Sequence, residues 1–167
     1  MRRAAAGLLG TALLLAGCGY SVRGGLPPHI RSVAVPTFRN ATAEPAVETV
    51  ITAAVVNAFV TSGTLRVVPV EQADAILDGE IVGYEIQSIA VDERIRAREY
   101  RLLVTLNLRF RDVRQGGLLF RQDGLQEKAD FRVAGQVAET LSREDSAVRQ
   151  AAVDIGRRIV NLVVDRF

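Results

Sequence analysis

The chain has 167 residues, 49% of them hydrophobic, which is enough for one domain with a core of its own. A single cysteine, a single histidine, no tryptophan and 5% aromatic residues exclude a disulfide framework, a Cys/His zinc cluster and an aromatic platform for stacking bases or sugars. The formal charge of +2 falls to about zero once Arg2 and Arg3 are discounted with a leader, so the charge balance carries no nucleic-acid signature.

The first element is that leader. Arg2 and Arg3 precede an apolar run from Ala4 to Leu15, too short for a transmembrane span of about 20 residues but typical of a secretory signal. The run ends in Leu15-Ala16-Gly17-Cys18, small residues followed by cysteine, which resembles a bacterial lipobox. That resemblance implies cleavage before Cys18 and attachment of a diacylglycerol and an N-acyl chain to it, with no other cofactor. Several acyl chains anchor stably where one does not. Gly19 stands where an aspartate favours inner-membrane retention in Gram-negative lipoproteins, so the implied address is the periplasmic face of the outer membrane. The organisation is therefore a signal over 1–17, a Gly/Pro-rich lipidated tether over 18–29 and one domain over 30–167. His29, inside the tether, reads as a solvated loop residue without a partner.

Ile30 to Phe38 predicts a strand, with Pro36 tolerable only at an edge or a bulge. A helix follows. Asn40 and Thr42 offer capping oxygens, Pro45 suits its first turn and Gly63 its C-terminal cap. Val47, Val50, Ile51, Ala54, Val55, Ala58 and Phe59 share one face, and Val56 and Val60 widen the apolar surface, so the helix should be well buried. Leu65 to Val70 predicts a short strand, and the strand–helix–strand order a parallel crossover. A long strand from about Ala75 to Ile89 contains Gly79 and Gly83, candidate bulges. Another runs from about Arg98 to Asp112, where Tyr100, Leu102, Val104, Leu106, Leu108 and Phe110 alternate with Arg101, Leu103, Thr105, Asn107, Arg109 and Arg111. That period of two marks an antiparallel strand with one face buried. Gly116-Gly117 turns the chain into a strand from Leu118 to about Phe131. The last helix is predicted from about Asp145 to Arg166, with Ser142 and Asp145 as a capping-box pair. Its stripe is Val148, Ala151, Ala152, Ile155, Ile159, Leu162 and Val163. The order β-α-β-β-β-β-α predicts an α+β two-layer sandwich, a mixed, mostly antiparallel sheet with two helices on one face.

Catalytic machinery is not legible. His29 has no converging nucleophile, the carboxylates are scattered, and no glycine loop joins a strand to a helix. The chain therefore reads as a binding or assembly protein and not an enzyme. One constellation points to binding: Arg94, Arg96 and Arg98 alternate ahead of the Tyr100 strand and share one side of an extended backbone. Guanidinium forks suit phosphate and carboxylate. Arg143 adds to them if the fold brings the two loops together. Against this, the basic residues are arginine throughout except Lys128, a compositional skew under which a solvated arginine loop is an equal alternative.

Cys18-Gly19-Tyr20, Gly24 to Pro28, Val33-Ala34-Val35-Pro36-Thr37-Phe38 with Asn40 and Thr42, Leu65-Arg66-Val67-Val68, Ala73 to Gly79 and Glu99-Tyr100-Arg101-Leu102 together, in this order, resemble the lipopolysaccharide-assembly lipoprotein family LptE. The resemblance covers essentially the whole chain and departs from some relatives at Phe167, where their longer polar tail is missing. It implies a Gram-negative outer-membrane lipoprotein that pairs with the large β-barrel LptD, plugs its lumen, helps it assemble and binds lipopolysaccharide for insertion into the outer leaflet. The family's basic lipopolysaccharide-contacting positions correspond to Arg94, Arg96 and Arg143. The segment Val35 to Asn40 followed by a helix also occurs in outer-membrane activators of peptidoglycan synthases and in curli-secretion lipoproteins, the alternative reading.

Overall fold

A computed structural model describes residues 26–91, 97–132 and 137–165; Cys18 lies outside them. In chain order the elements are β1 (Ser32–Ala34), β2 (Arg39–Asn40), α1 (Val47–Ser62), β3 (Arg66–Val67), a 3-10 turn (Val70–Gln72), β4 (Ala75–Val91), β5 (Ala97–Asp112), β6 (Leu118–Arg132) and α2 (Val137–Asp165). The sheet runs β3-β1-β4-β5-β6, with β2 also on β4. β1 is parallel to β3, as the crossover predicts, and also to β4, while β4, β5 and β6 form an antiparallel meander. Both helices cover one face of this open sheet. The result is the α+β two-layer sandwich read from the sequence. No described helix is long and apolar enough to cross a membrane.

β5 behaves as its alternation requires. Leu102, Val104, Leu106, Leu108 and Phe110 are buried beneath the helices, while Arg109 and Arg111 on the other face are exposed. Ile51, Val55 and Phe59 of α1 and Ala151, Ile155, Ile159 and Val163 of α2 extend the core among the described residues.

The predicted first strand is broken in two. Ala34 faces Ile76 and Arg39 faces Glu80, so five steps on one strand answer four on the other. The extra residue is a bulge, and Pro36 sits within it, where a missing N–H costs no ladder bond. The kink turns Phe38 inward. Its amide donates to Thr52 Oγ1 at 3.0 Å, and its ring lies over Gly79, where an added Cβ would meet ring atoms at 2.5 Å. Gly79 is therefore a seat for an aromatic ring and not a bulge. Gly83 does adjoin one, since the register against β5 shifts between Ile81 and Gly83.

Three local expectations change. α1 is not capped by Asn40 or Thr42: the residue before it, Ala46, is left-handed at φ 62° with no side-chain cap. Asn40 instead ties the preceding loop, accepting the Thr42 amide at 2.9 Å and donating to Glu48 Oε2 at 2.9 Å. Gly63 ends α1 as predicted, left-handed with its amide on Phe59 O at 3.1 Å. α1 is also less buried than its composition implies, Val60 being 65% exposed, because α2 covers only one flank of it. α2 begins at Val137, a full two turns before the predicted Asp145, so Ser142 and Asp145 are not a capping box. Ser142 lies inside the helix, its carbonyl accepting the Ser146 hydroxyl at 2.8 Å.

Two carboxylates lock the end of the sheet where β1 enters. Asp74 Oδ2 accepts the Arg31 and Ser32 amides at 3.1 Å each and the Ser32 hydroxyl at 2.8 Å, and Arg114 pairs with Oδ1 at 2.6 Å. Asp112 Oδ1 accepts the Arg114 and Gln115 amides at 2.8 and 3.0 Å. Its Oδ2 lies 2.6 Å from His29 Nε2. An ionised carboxylate only accepts, so Nε2 donates. His29 is therefore not a free loop residue but a clasp on β5. The Ser32 hydroxyl first, then the Arg31 amide and the Arg114 charge, hold Asp74 below the ordinary carboxylate range against the opposing effect of burial. The Gln115 amide first, then His29 and the Arg114 amide, do the same for Asp112. Depressed carboxyls contribute stability that is fully present above their unfolded pKa of about 3.9 and is lost as pH falls through the folded value. The thermal midpoint should accordingly be level from neutral pH to about 5 and drop steeply below about 4. Asp74→Asn should lower it most at pH 7, the difference from wild type narrowing in acid; a constant difference at all pH values would contradict this account.

Candidate anion-binding groove

The strands give the molecule two distant ends. β4 rises for about 50 Å at 3.3 Å per residue. Its first residues pair with β1, next to the clasped N-terminal segment; this end is called the base. Its last residues and the start of β5 form the tip, with Val91 opposite Ala97. β6 also ends at the tip, Arg132 opposite Glu99, and α2 starts back from there.

Arg94 and Arg96 lie outside the described residues, in the connection between β4 and β5. Arg143 is described: it is exposed on α2, and its Nη1 donates to Arg132 O at 3.4 Å. Glu99 follows the β4–β5 connection by three residues, and its Oε1 lies 3.7 Å from Arg132 Nε. The fold thus places Arg143 beside the end of β6, on a helix and not in the loop that the sequence reading gave it.

A groove of about 500 Å³ runs there between β6 and α2, lined by Glu99, Asp130, Phe131, Arg132, Arg143 and Gln150 among others. Its floor is apolar. Phe131 stacks on Tyr100 with ring centroids 5.6 Å apart, and Ala129 and Ala147 are buried beside it. One wall is basic, with Arg132 78% exposed at its side chain. Below it Arg101 holds Asp130 through two bonds of 2.7 Å. That fork holds the Asp130 carboxyl below its ordinary range, so Arg101 is engaged with Asp130. An apolar floor beside exposed guanidinium groups suits a ligand with an anionic head and an apolar body.

Sequence reasoning missed Arg132 and the Tyr100–Phe131 floor. The turn at Gly116-Gly117 alone would not have found it: its register continued unbroken would set Glu99 against Asp130, and two irregularities in the β5–β6 ladder shift the partner to Arg132. Among the described residues no group of three or more His, Cys, Asp or Glu side chains is placed to hold a metal.

The face of the sheet away from the helices is polar and carries several ion pairs. Arg111 Nε bonds Asp78 at 2.8 Å, Arg101 bonds Asp130, and Arg39 pairs with Glu80. On the helix side, Arg158 of α2 bonds Glu127 of β6 at 2.7 Å.

A family model described as LptE, lipopolysaccharide-assembly, matches residues 30–163. No curated protein matches the chain in sequence. Among solved structures, rare lipoprotein B from Shewanella oneidensis superposes with a TM-score of 0.55 at 11% identity, covering 77% of this chain and 92% of that one. A minor lipoprotein from Acinetobacter baumannii gives 0.51 at 12% identity, covering 82% and 92%. At such identities the likeness is one of fold.

Proposed function

The chain belongs to the LptE family of lipopolysaccharide-assembly proteins, and on that premise we propose that it is an outer-membrane lipoprotein, anchored through Cys18, that plugs the lumen of the β-barrel LptD and holds lipopolysaccharide at its tip. The supporting observation is the placement of base and tip. The N-terminal segment joins the domain at the base, where His29 is clasped to Asp112. The groove of Arg132 and Arg143 lies about 45 Å away, the distance from Asp112 to Glu99 along β5. A bilayer with its headgroups is about 40–45 Å thick. With the strands along the membrane normal, a base held at the periplasmic leaflet brings the groove to the level of the outer leaflet, where lipopolysaccharide is delivered. Arg94 and Arg96, in the connection at the same end, would extend its basic rim.

The lateral surfaces fit a plug. Barrel lumens are polar and water-filled, and the outer face of the sheet is polar, with several of its charges paired. A plug has no need of catalytic groups, in keeping with a non-enzymatic role without cofactors other than the lipid on Cys18.

The test is purification of the acylated protein from its own outer membranes in mild detergent. A large β-barrel in one-to-one amount is the expected partner. A peptidoglycan synthase, or a ring of this chain alone, would overturn the reading in favour of the synthase-activator or curli-type alternative.

A further inference from the structure

β4 has one edge that the rest of the sheet does not use. β1 and β2 cover it only as far as Ile81, where Ala41 N–H still reaches Ile81 O at 2.9 Å. From residue 82 to 91, β4 pairs only with β5 among the described residues. Alternate residues of a strand aim both backbone groups at the same neighbour. Half of the amides and carbonyls of this stretch therefore face outward, with no strand among the described residues to receive them.

Sheet edges are normally defended by charge, proline or shortness. The opposite edge is: β6 carries Arg121, Asp123, Lys128, Asp130 and Arg132. The open stretch of β4 has Glu85 as its one charged residue, and Val82, Ile86 and Ile89 are 40%, 39% and 39% exposed. Its surroundings are acidic on the helix face, and the outer face adds one carboxylate. Glu85 stands on the outer face. On the helix face Tyr84 bonds Glu144 Oε1 at 3.3 Å, with Glu44 and Asp145 close by. Burial first, and then the charges of Glu144, Glu44 and Asp145, hold the Tyr84 phenol far above its ordinary range. Asp145 is paired with Arg149 at 2.6 Å; among the described residues no basic side chain is recorded on Glu44, Glu85 or Glu144.

We infer that the edge of β4 from Val82 to Val91 is a docking strand for an extended, basic segment of the barrel partner, which adds to the sheet by main-chain pairing. The inference rests on the plug reading and specifies its contact. Charge complementarity selects the occupant: an added strand would meet Glu44 and Glu144 on the helix face and Glu85 on the outer one. The strands of a closed barrel are all paired to one another, so the segment comes from a loop or a terminal extension of the barrel chain. Main-chain bonds supply affinity in this mode and alternate side chains supply specificity.

Ile86→Pro and Gln87→Pro test it. In the regular stretch opposite Leu102 and Arg101, one of these two residues directs its N–H to β5 and the other outward. The outward-facing one loses only a docking donor and tolerates proline as an edge strand does. We expect that variant to keep the wild-type thermal midpoint while losing at least tenfold of the barrel recovered with it in mild detergent. In wild-type complex, hydrogen exchange of the amides at 83–88 should slow at least tenfold relative to the free mature chain, and a photo-crosslinker at Gln87 should capture an Arg- or Lys-bearing peptide of the barrel. A well-folded proline variant that recovers the full amount of barrel, with exchange at 83–88 unchanged by the complex, overturns the inference while leaving the plug reading intact. Slowing that depends on the concentration of the free chain assigns the edge to a second copy and overturns it too. If wild type brings down no barrel, both readings fall together.

Discussion

Gly79→Ala is expected to cost the fold about 1–3 kcal/mol, the usual penalty for overpacking a filled site, although the substitution only exchanges a strand glycine for a residue with a side chain. A new Cβ at Gly79 would sit 2.5 Å from the Phe38 ring. The ring has nowhere to move: Phe38 is 2% exposed, and its own amide is held by Thr52 Oγ1. Phe38→Ala alone should cost about 3–5 kcal/mol through lost burial and a cavity over the glycine. The two changes share one space, so the double variant should be less damaged than the sum by about 1 kcal/mol or more, beyond the margin for independent sites. Urea denaturation of the four proteins measures the cycle. Simple additivity would show that the ring does not rest on Gly79.

The second large effect is at the crossing of the helices. Gly156 is buried on α2 against α1, where an added Cβ would lie 2.8 Å from Ala54 O and 3.1 Å from the Ala58 Cβ. The near atom is a backbone oxygen and cannot rotate away. Gly156→Ala gains about 1 kcal/mol of helix propensity, yet the overpacking penalty of about 1–3 kcal/mol should equal or exceed it. Gly156→Leu has to part the helices and should leave no cooperative unfolding transition at 37 °C. Serine, nearly as small as alanine, should behave like the alanine variant. A stabilised Gly156→Ala protein would mean the helices can separate at no cost, and would discredit the close contact.

Those two glycines illustrate what a sequence does and does not display. β5 was legible because one face is buried along its whole length, so every second residue is apolar. The last helix was legible only where it packs. From Thr140 to Ser146 its side chains are exposed or half-buried, and the first buried one is Ala147. Periodicity therefore placed the start at Asp145, where burial begins. The bond between His29 and Asp112 joins residues 83 apart and depends on where β5 stops, which no local pattern announces. Gly79 was visible as an interruption, but its meaning came from a phenylalanine turned inward by a bulge at Pro36. In the groove, Arg143 was named from its place near the last helix and from the resemblance; Arg132 was not, because two irregularities in the β5–β6 ladder decide that it faces Glu99. Arg94 and Arg96 remain assignments of the sequence and the resemblance, at the end of the sheet where Arg132 and Arg143 meet.

The central claim is that lipopolysaccharide is held at the tip and not at the base. It is tested most directly by measuring lipopolysaccharide binding to the purified complex in wild type, in Arg132→Glu/Arg143→Glu, and in Arg114→Glu as the control at the base. A charge-assisted bond is worth about 1.5–3 kcal/mol, so the tip variant should bind at least tenfold more weakly while the barrel remains associated. The base variant, compared at equal folded fraction because Arg114 also pairs with Asp74, should bind as wild type does. Wild-type binding by the tip variant, or a loss confined to the base variant, would contradict the claim.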